Sequence, residues 1–138
     1  MRLLAPLLLS LAASVHSAEP NETLAAAEAL VRYAASSHPL LFEKSDVCIS
    51  IDGEENLQPL LDRLKDIHLR IVSCGGKTIV TRLPISKPAP QPDGTFLVSY
   101  GYFIDCENCA TQGKAMSAVM SHDGAGWHVL HEYVGPNF

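Results

Sequence analysis

The sequence predicts an α+β domain in which two amphipathic helices pack on one face of a curved, mostly antiparallel β-sheet. Three observations carry this expectation. Apolar residues recur at helical spacing in two stretches of the first half of the chain. The second half alternates with period two between turn signals, as half-buried strands do. Successive strands joined by turns favour antiparallel pairing, and amphipathic helices need an apolar surface to cover.

The chain opens with Met1 and Arg2, continues as an apolar run from Leu3 to Val15 interrupted at Pro6 and Ser10, and exits through His16-Ser17-Ala18. A positive start, an apolar middle and a small-residue exit are the three parts of a secretory signal peptide. Cleavage after Ser17 leaves Val15 and Ser17 at the recognition positions, which predicts a removed signal peptide at 1–17 and a single globular domain at 18–138. A membrane-spanning helix needs about 20 apolar residues and this run is shorter. No cysteine near the exit suggests lipid attachment.

Residues 20–38 read as the first helix. Asn21 or Thr23 can cap it, and Leu24, Ala27, Val31 and Ala34 recur at helical spacing beside Leu30. His38-Pro39 stops it, because a residue before proline is pushed out of the helical region. Residues 46–53 read as a strand ending in a turn. A second helix is expected from Asn56 to Ile67, with Pro59 in its first turn and Leu57, Leu60, Leu61, Leu64 and Ile67 on one face. A strand at 69–74, a Gly75-Gly76 turn and a β-branched strand at 77–85 follow. Pro84, Pro88, Pro90, Pro92 and Asp93-Gly94 make a stiff hairpin connection rather than a polyproline ligand.

Beyond it, Phe96, Val98, Tyr100, Tyr102 and Ile104 alternate with Leu97, Ser99, Gly101 and Phe103. A further strand covers 115–122, and Asp123-Gly124-Ala125-Gly126 turns the chain into a last strand at 127–134. Strict alternation there puts Trp127, Val129, His131 and Tyr133 on one face and His128, Leu130 and Glu132 on the other.

Four cysteines in an exported chain read first as two disulfides, and four allow three pairings. The favoured set is Cys48–Cys74 with Cys106–Cys109. If the strands before and after the second helix are neighbours, Cys48 and Cys74 reach one another, closing a loop of about 27 residues worth roughly 3–4 kcal/mol. The second bridge closes a much smaller loop and contributes roughly 2 kcal/mol. Cys106-Glu107-Asn108-Cys109 also has the spacing of a thiol–disulfide redox centre or of half a metal site. Against redox chemistry, no convincing helix follows the pair, and Asp105 and Glu107 raise a thiol pKa rather than lower it. Ala110 occupies the position where haem attachment needs histidine. For a metal, His122, His128 and His131 are the available partners, but residues three apart on a strand point to opposite faces. No metal and no cofactor are expected.

Val47-Cys48-Ile49-Ser50-Ile51-Asp52-Gly53, Leu60-Leu61-Asp62-Arg63-Leu64, Ser73-Cys74 and Gly126-Trp127-His128-Val129 together resemble a group of small exported bacterial proteins of unassigned function. The order of helices and strands is also similar to cystatin-like and NTF2-like folds. The first resemblance implies a periplasmic rather than a fully secreted protein, and neither implies catalytic residues.

Of 15 acidic and 10 basic residues only Arg2 lies within 1–17, so signal removal takes the net charge from −5 to about −6. No basic stripe interleaved with aromatics is present, which removes electrostatic support for nucleic acid binding, and no membrane association is expected after cleavage. Gly75-Gly76 lacks the lysine and helix of a phosphate loop. No nucleophile elbow frames a serine. Asp52, Glu54 and Glu55 precede a helix, where acids are favoured by the helix dipole. Asn21-Glu22-Thr23 is a glycosylation acceptor only in a eukaryotic source. The expected function is therefore a non-enzymatic binding or interaction module for a protein, a peptide or a small ligand, with Tyr100, Tyr102 and Trp127 lining the concave face. The alternative is a thiol-disulfide redox or thiol-dependent metal module using Cys106 and Cys109.

Overall fold

A computed structural model of the protein describes residues 20–42, 46–75, 79–105 and 112–137. The expected signal peptide and the Cys106–Cys109 pair lie outside the described residues.

Helix α1 (Pro20–Ser37) forms where the apolar spacing places it. Its Thr23, Leu24, Ala26, Ala27, Leu30, Val31 and Ala34 are buried. The helix ends at the expected proline: His38 N–H donates to Ala34 O at 2.8 Å, and Pro39 opens a separate one-turn helix, α2 (Pro39–Phe42). A proline suits a first helical turn, where its missing N–H has no intrahelical partner anyway.

Strand β1 (Asp46–Ile51) is nearly continuous in burial, with Val47, Cys48, Ile49 and Ile51 all buried. It pairs in parallel with β2 (Val80–Ile85), so a crossover has to join them, and α3 (Gln58–Arg63) lies within it. Helix α3 is shorter than the apolar pattern to Ile67 suggests, and the cause is tertiary. Arg32 of α1 donates to the carbonyl of Arg63 at 2.7 Å and to both oxygens of Asp66 at 2.8 and 2.9 Å. That satisfies a last-turn carbonyl and pins the chain just beyond it, where a free helix would have continued. The strand expected at 69–74 reduces to a single parallel bridge, Val47↔Ile71, framed by Val47 N–H to Arg70 O and Val72 N–H to Val47 O, both 2.8 Å.

The rest of the sheet is antiparallel. Strands β3 (Ala89–Pro90) and β2 both pair with β4 (Phe96–Asp105), so the proline-rich segment is one arm of a hairpin. Its turn is held by Gln91 N–H to Thr95 O at 2.8 Å and by Asp93, whose Oδ1 accepts the Thr95 N–H at 3.0 Å. Gly94 takes φ 87°, a value that L side chains rarely adopt. Strands β5 (Gln112–Asp123) and β6 (Gly126–Asn137) complete an open six-stranded sheet of order β1-β2-β4-β5-β6, with β3 beside β4. The class is α+β, as expected. One buried cluster joins Leu30 and Val31 of α1, Leu60 and Leu64 at α3, and Val47, Leu83, Val98, Ala118 and Met120 of the sheet.

The alternation expected along β6 does not survive. Val129 pairs with Met120 but His131 pairs with Val119, so Leu130 is an extra residue in a β-bulge. Past the bulge the parity inverts. Glu132, opposite the buried Ala118, shares the inner face with Val129, while His131 and Tyr133, opposite Val119 and Ser117, turn to the other.

Candidate functional site

The disulfide Cys48–Cys74 is present, with Cα atoms 5.1 Å apart and a sequence separation of 26. It joins the two segments the sequence suggested, the strand before the second helix and the stretch after it, which are neighbours through the Val47↔Ile71 bridge. The segment carrying Cys74 lies against the far edge of β1, on the side away from β2. Bridge and backbone bonds at Val47 therefore cover part of an edge that would otherwise be open.

The aromatic trio divides. Tyr100 and Trp127 are core residues, 4% and 8% exposed, whereas Tyr102 is partly buried with its ring 5.7 Å from that of His38. Trp127 stacks on His122 at 4.5 Å and meets Phe96 edge-on at 4.9 Å. Two polar atoms of the trio, Tyr100 Oη and Trp127 Nε1, are buried without a hydrogen-bond partner among the described residues. Such groups are uncommon in folded proteins. Burial, reinforced by the Glu132 carboxylate, pushes the Tyr100 phenol well above its ordinary range, and the same two causes raise Tyr102.

Glu132 is the residue that sequence reasoning missed. Its side chain is 10% exposed and accepts a hydrogen bond from His38 Nε2 at 2.8 Å, joining the end of α1 to β6. In the sequence nothing distinguishes it from an outward-facing acid, because the bulge that turns it inward sits at Leu130, a residue with no turn character.

Helix α1 and strand β6 run alongside one another, meeting at His38–Glu132 and flanking an open groove of about 550 Å³ whose lining includes Ala25, Ala29, Trp127 and Val129 together with the polar Glu28, Arg32, Tyr33 and His128. The charged groups beside it are paired within the protein. Arg32 bonds Glu28 at 3.1 Å and Asp66 at 2.8 Å, and Arg63 lies 3.7 Å from Glu28. Hydrogen bonds to Asp66 and then Glu28 hold the Arg32 guanidinium more firmly protonated, and Arg32 keeps the Asp66 carboxyl below the usual range.

Among the described residues β6 has β5 on one side and no strand on the other. Leu130, Tyr133 and Val134 on this strand are 49%, 58% and 63% exposed. The remaining sites considered from sequence show ordinary geometry. His128 Nε2 lies 3.2 Å from Asp123 Oδ1, which also accepts the Ala125 N–H at 2.8 Å and so closes the β5–β6 turn. These two bonds hold the Asp123 carboxyl below its usual range, the backbone one more strongly. Asp52 and Glu55 are exposed, and Glu54 N–H bonds Ile51 O at 3.1 Å in the turn after β1. No three His, Cys, Asp or Glu side chains among the described residues are grouped to hold a metal. No helix among them is long and apolar enough to cross a membrane.

Among the described residues the fold and site thus define an α+β domain with an internal disulfide and, beside a helix, a sheet edge on which no further strand lies. No family model, curated protein or solved structure matches the chain.

Proposed function

We propose that this is an exported, disulfide-stabilised binding module that works without catalysis and takes an extended polypeptide segment along the free edge of β6. On this reading residues 1–17 are removed, 18–138 fold in the periplasm or outside the cell, and Cys106–Cys109 forms a second structural bridge. The two longer helices cover one face of a curved sheet, in keeping with the resemblance to small exported bacterial proteins and to cystatin-like and NTF2-like layer order.

The observation that carries the proposal is the edge itself. β6 is 12 residues long and presents Leu130, Tyr133 and Val134 to solvent. Natural proteins blunt exposed edges with lysines, prolines or short strands. Here the strand contains no Lys or Arg, and its one proline, Pro136, is next to its end. The pairing with β5 is irregular twice, at Leu130 and again between Val134 and Asn137, and the stretch from Gly126 to Val134 is left to template a partner. Added strands gain affinity from main-chain hydrogen bonds and specificity from alternate side chains.

Selection of binders from a random-peptide library against the oxidised, processed protein, followed by amide exchange on the complex, tests this. Binders should slow exchange along 126–137. Failure to select any binder, or protection concentrated near Cys48–Cys74 instead, overturns the reading.

A further inference from the structure

We infer that the groove between α1 and β6 is the specificity pocket of this edge and receives one uncharged, apolar side chain of the bound segment. The inference rests on β6 being the binding edge. It adds which chemistry that edge selects.

The geometry of strand addition supplies the first argument. A segment hydrogen-bonded to β6 lies about 4.8 Å away, with every second side chain on each face. Trp127 and Val129 share one face of β6, opposite His122 and Met120, and both line the groove that α1 completes. A side chain on that face of the incoming strand is delivered to the groove.

Space is the second argument. The helix wall contributes Ala25 and Ala29, four residues apart and so on one side of α1. Their short side chains leave the groove open at about 550 Å³, room for a leucine-sized group.

Charge is the third. Glu28, Arg32 and His128 also border the groove, but each already has a partner of the opposite kind: Glu28 and Arg32 lie 3.1 Å apart, Arg32 is 2.8 Å from Asp66, and His128 is 3.2 Å from Asp123. A charged guest has to disrupt this network or enter without a counter-charge, and either costs more than the solvated state it leaves. An apolar guest leaves the network intact.

The test uses the full chain, expressed with its leader and purified after export, titrated by NMR with blocked nine-residue threonine-rich peptides carrying Leu, Ala, Glu or Lys at the centre. The Leu peptide should bind at least tenfold more tightly than the Glu and Lys peptides and shift amides at 25–29 and 126–129. Ala29→Leu, at a partly buried helix position, should weaken the Leu peptide about tenfold and the Ala peptide less than twofold. The paired edge variant Leu130→Lys/Tyr133→Lys should weaken all four peptides. Equal affinity across the guests, or no effect of Ala29→Leu where the lysine pair abolishes binding, overturns the pocket and leaves the β6 reading standing. If the lysine pair has no effect, or none of the peptides binds, both fall.

Discussion

At the scale of single residues, the informative positions are polar groups in apolar places. Tyr100 is buried with an unsatisfied hydroxyl and a phenol pKa raised by burial. A buried hydroxyl without a well-formed hydrogen bond costs about 1–3 kcal/mol, and the Glu132 carboxylate beside it offsets part of this, so Tyr100→Phe should change stability by less than about 1 kcal/mol in urea unfolding. The pH dependence has a definite sign. A phenol whose folded pKa lies above its ordinary value of 10.0 contributes stability below that pH and loses it as pH rises further. Tyr100→Phe should therefore flatten the fall in stability above about pH 10; an unchanged alkaline limb would remove Tyr100 as its cause. Glu132 makes the opposite kind of contribution, because its carboxylate is hydrogen-bonded to His38. Glu132→Ala should cost about 1.5–3 kcal/mol, the range for hydrogen bonds to charged groups, and Glu132→Gln less because an acceptor remains. The aromatic identity of Tyr100, Tyr102 and Trp127 was legible in the sequence. Their burial was not, since an aromatic on an alternating strand has the same pattern whether a helix or a ligand lies over it.

At the scale of elements, the bulge in β6 decides which side chains face inward. One extra residue at Leu130 puts Glu132 on the face of Val129 and sends His131 and Tyr133 to the other. Deleting Leu130 removes the extra residue and leaves regular pairing, with Glu132 still opposite the buried Ala118 and His131 and Tyr133 still on the outer face. The deletion should therefore keep cooperative unfolding and the Glu132–His38 bond, and Leu130→Ala, at a half-exposed position, should change stability by less than about 0.5 kcal/mol. Circular dichroism melts of the two variants check both outcomes, and a non-cooperative melt of the deletion would mean that the bulge itself is needed for the fold. Strand pairs joined by local turns were readable from sequence, because Asp93-Gly94 and Asp123-Gly124-Ala125-Gly126 carry their own turn chemistry. The extent of α3 was not, because the bonds that end it come from Arg32, more than thirty residues away along the chain.

At the scale of the whole molecule, the disulfide holds the least regular part of the fold. Residues 70–75 carry one β-bridge, and Cys48–Cys74 ties them to the edge of β1. The Cys48→Ala/Cys74→Ala protein should lose roughly 3–4 kcal/mol, the loop-closure value for about 27 residues. Against a total of about 5–15 kcal/mol for a domain of this kind, that loss is large. Urea midpoints of the oxidised wild type and the double variant measure it, and a difference under about 1 kcal/mol would mean the unfolded state is already constrained by other means. Among the described residues the two sheet edges are thereby unlike: β1 is partly covered by a stapled segment, and β6 carries no strand on its outer side beside α1.

By itself the sequence determined the class of the fold, the position of α1, the hairpins of the second half and the Cys48–Cys74 pairing. Each of these follows from local information: apolar period, proline and turn chemistry, and the closeness of two cysteines flanking one helix. Only the tertiary structure decided that β1 and β2 run parallel, that α3 stops at Arg63, that Glu132 turns inward and that β6 is the open edge. Those outcomes, the open edge among the described residues included, depend on strand order and on partners distant in the chain, and a bulge or a long-range ion pair leaves no periodic trace in the residues that make it.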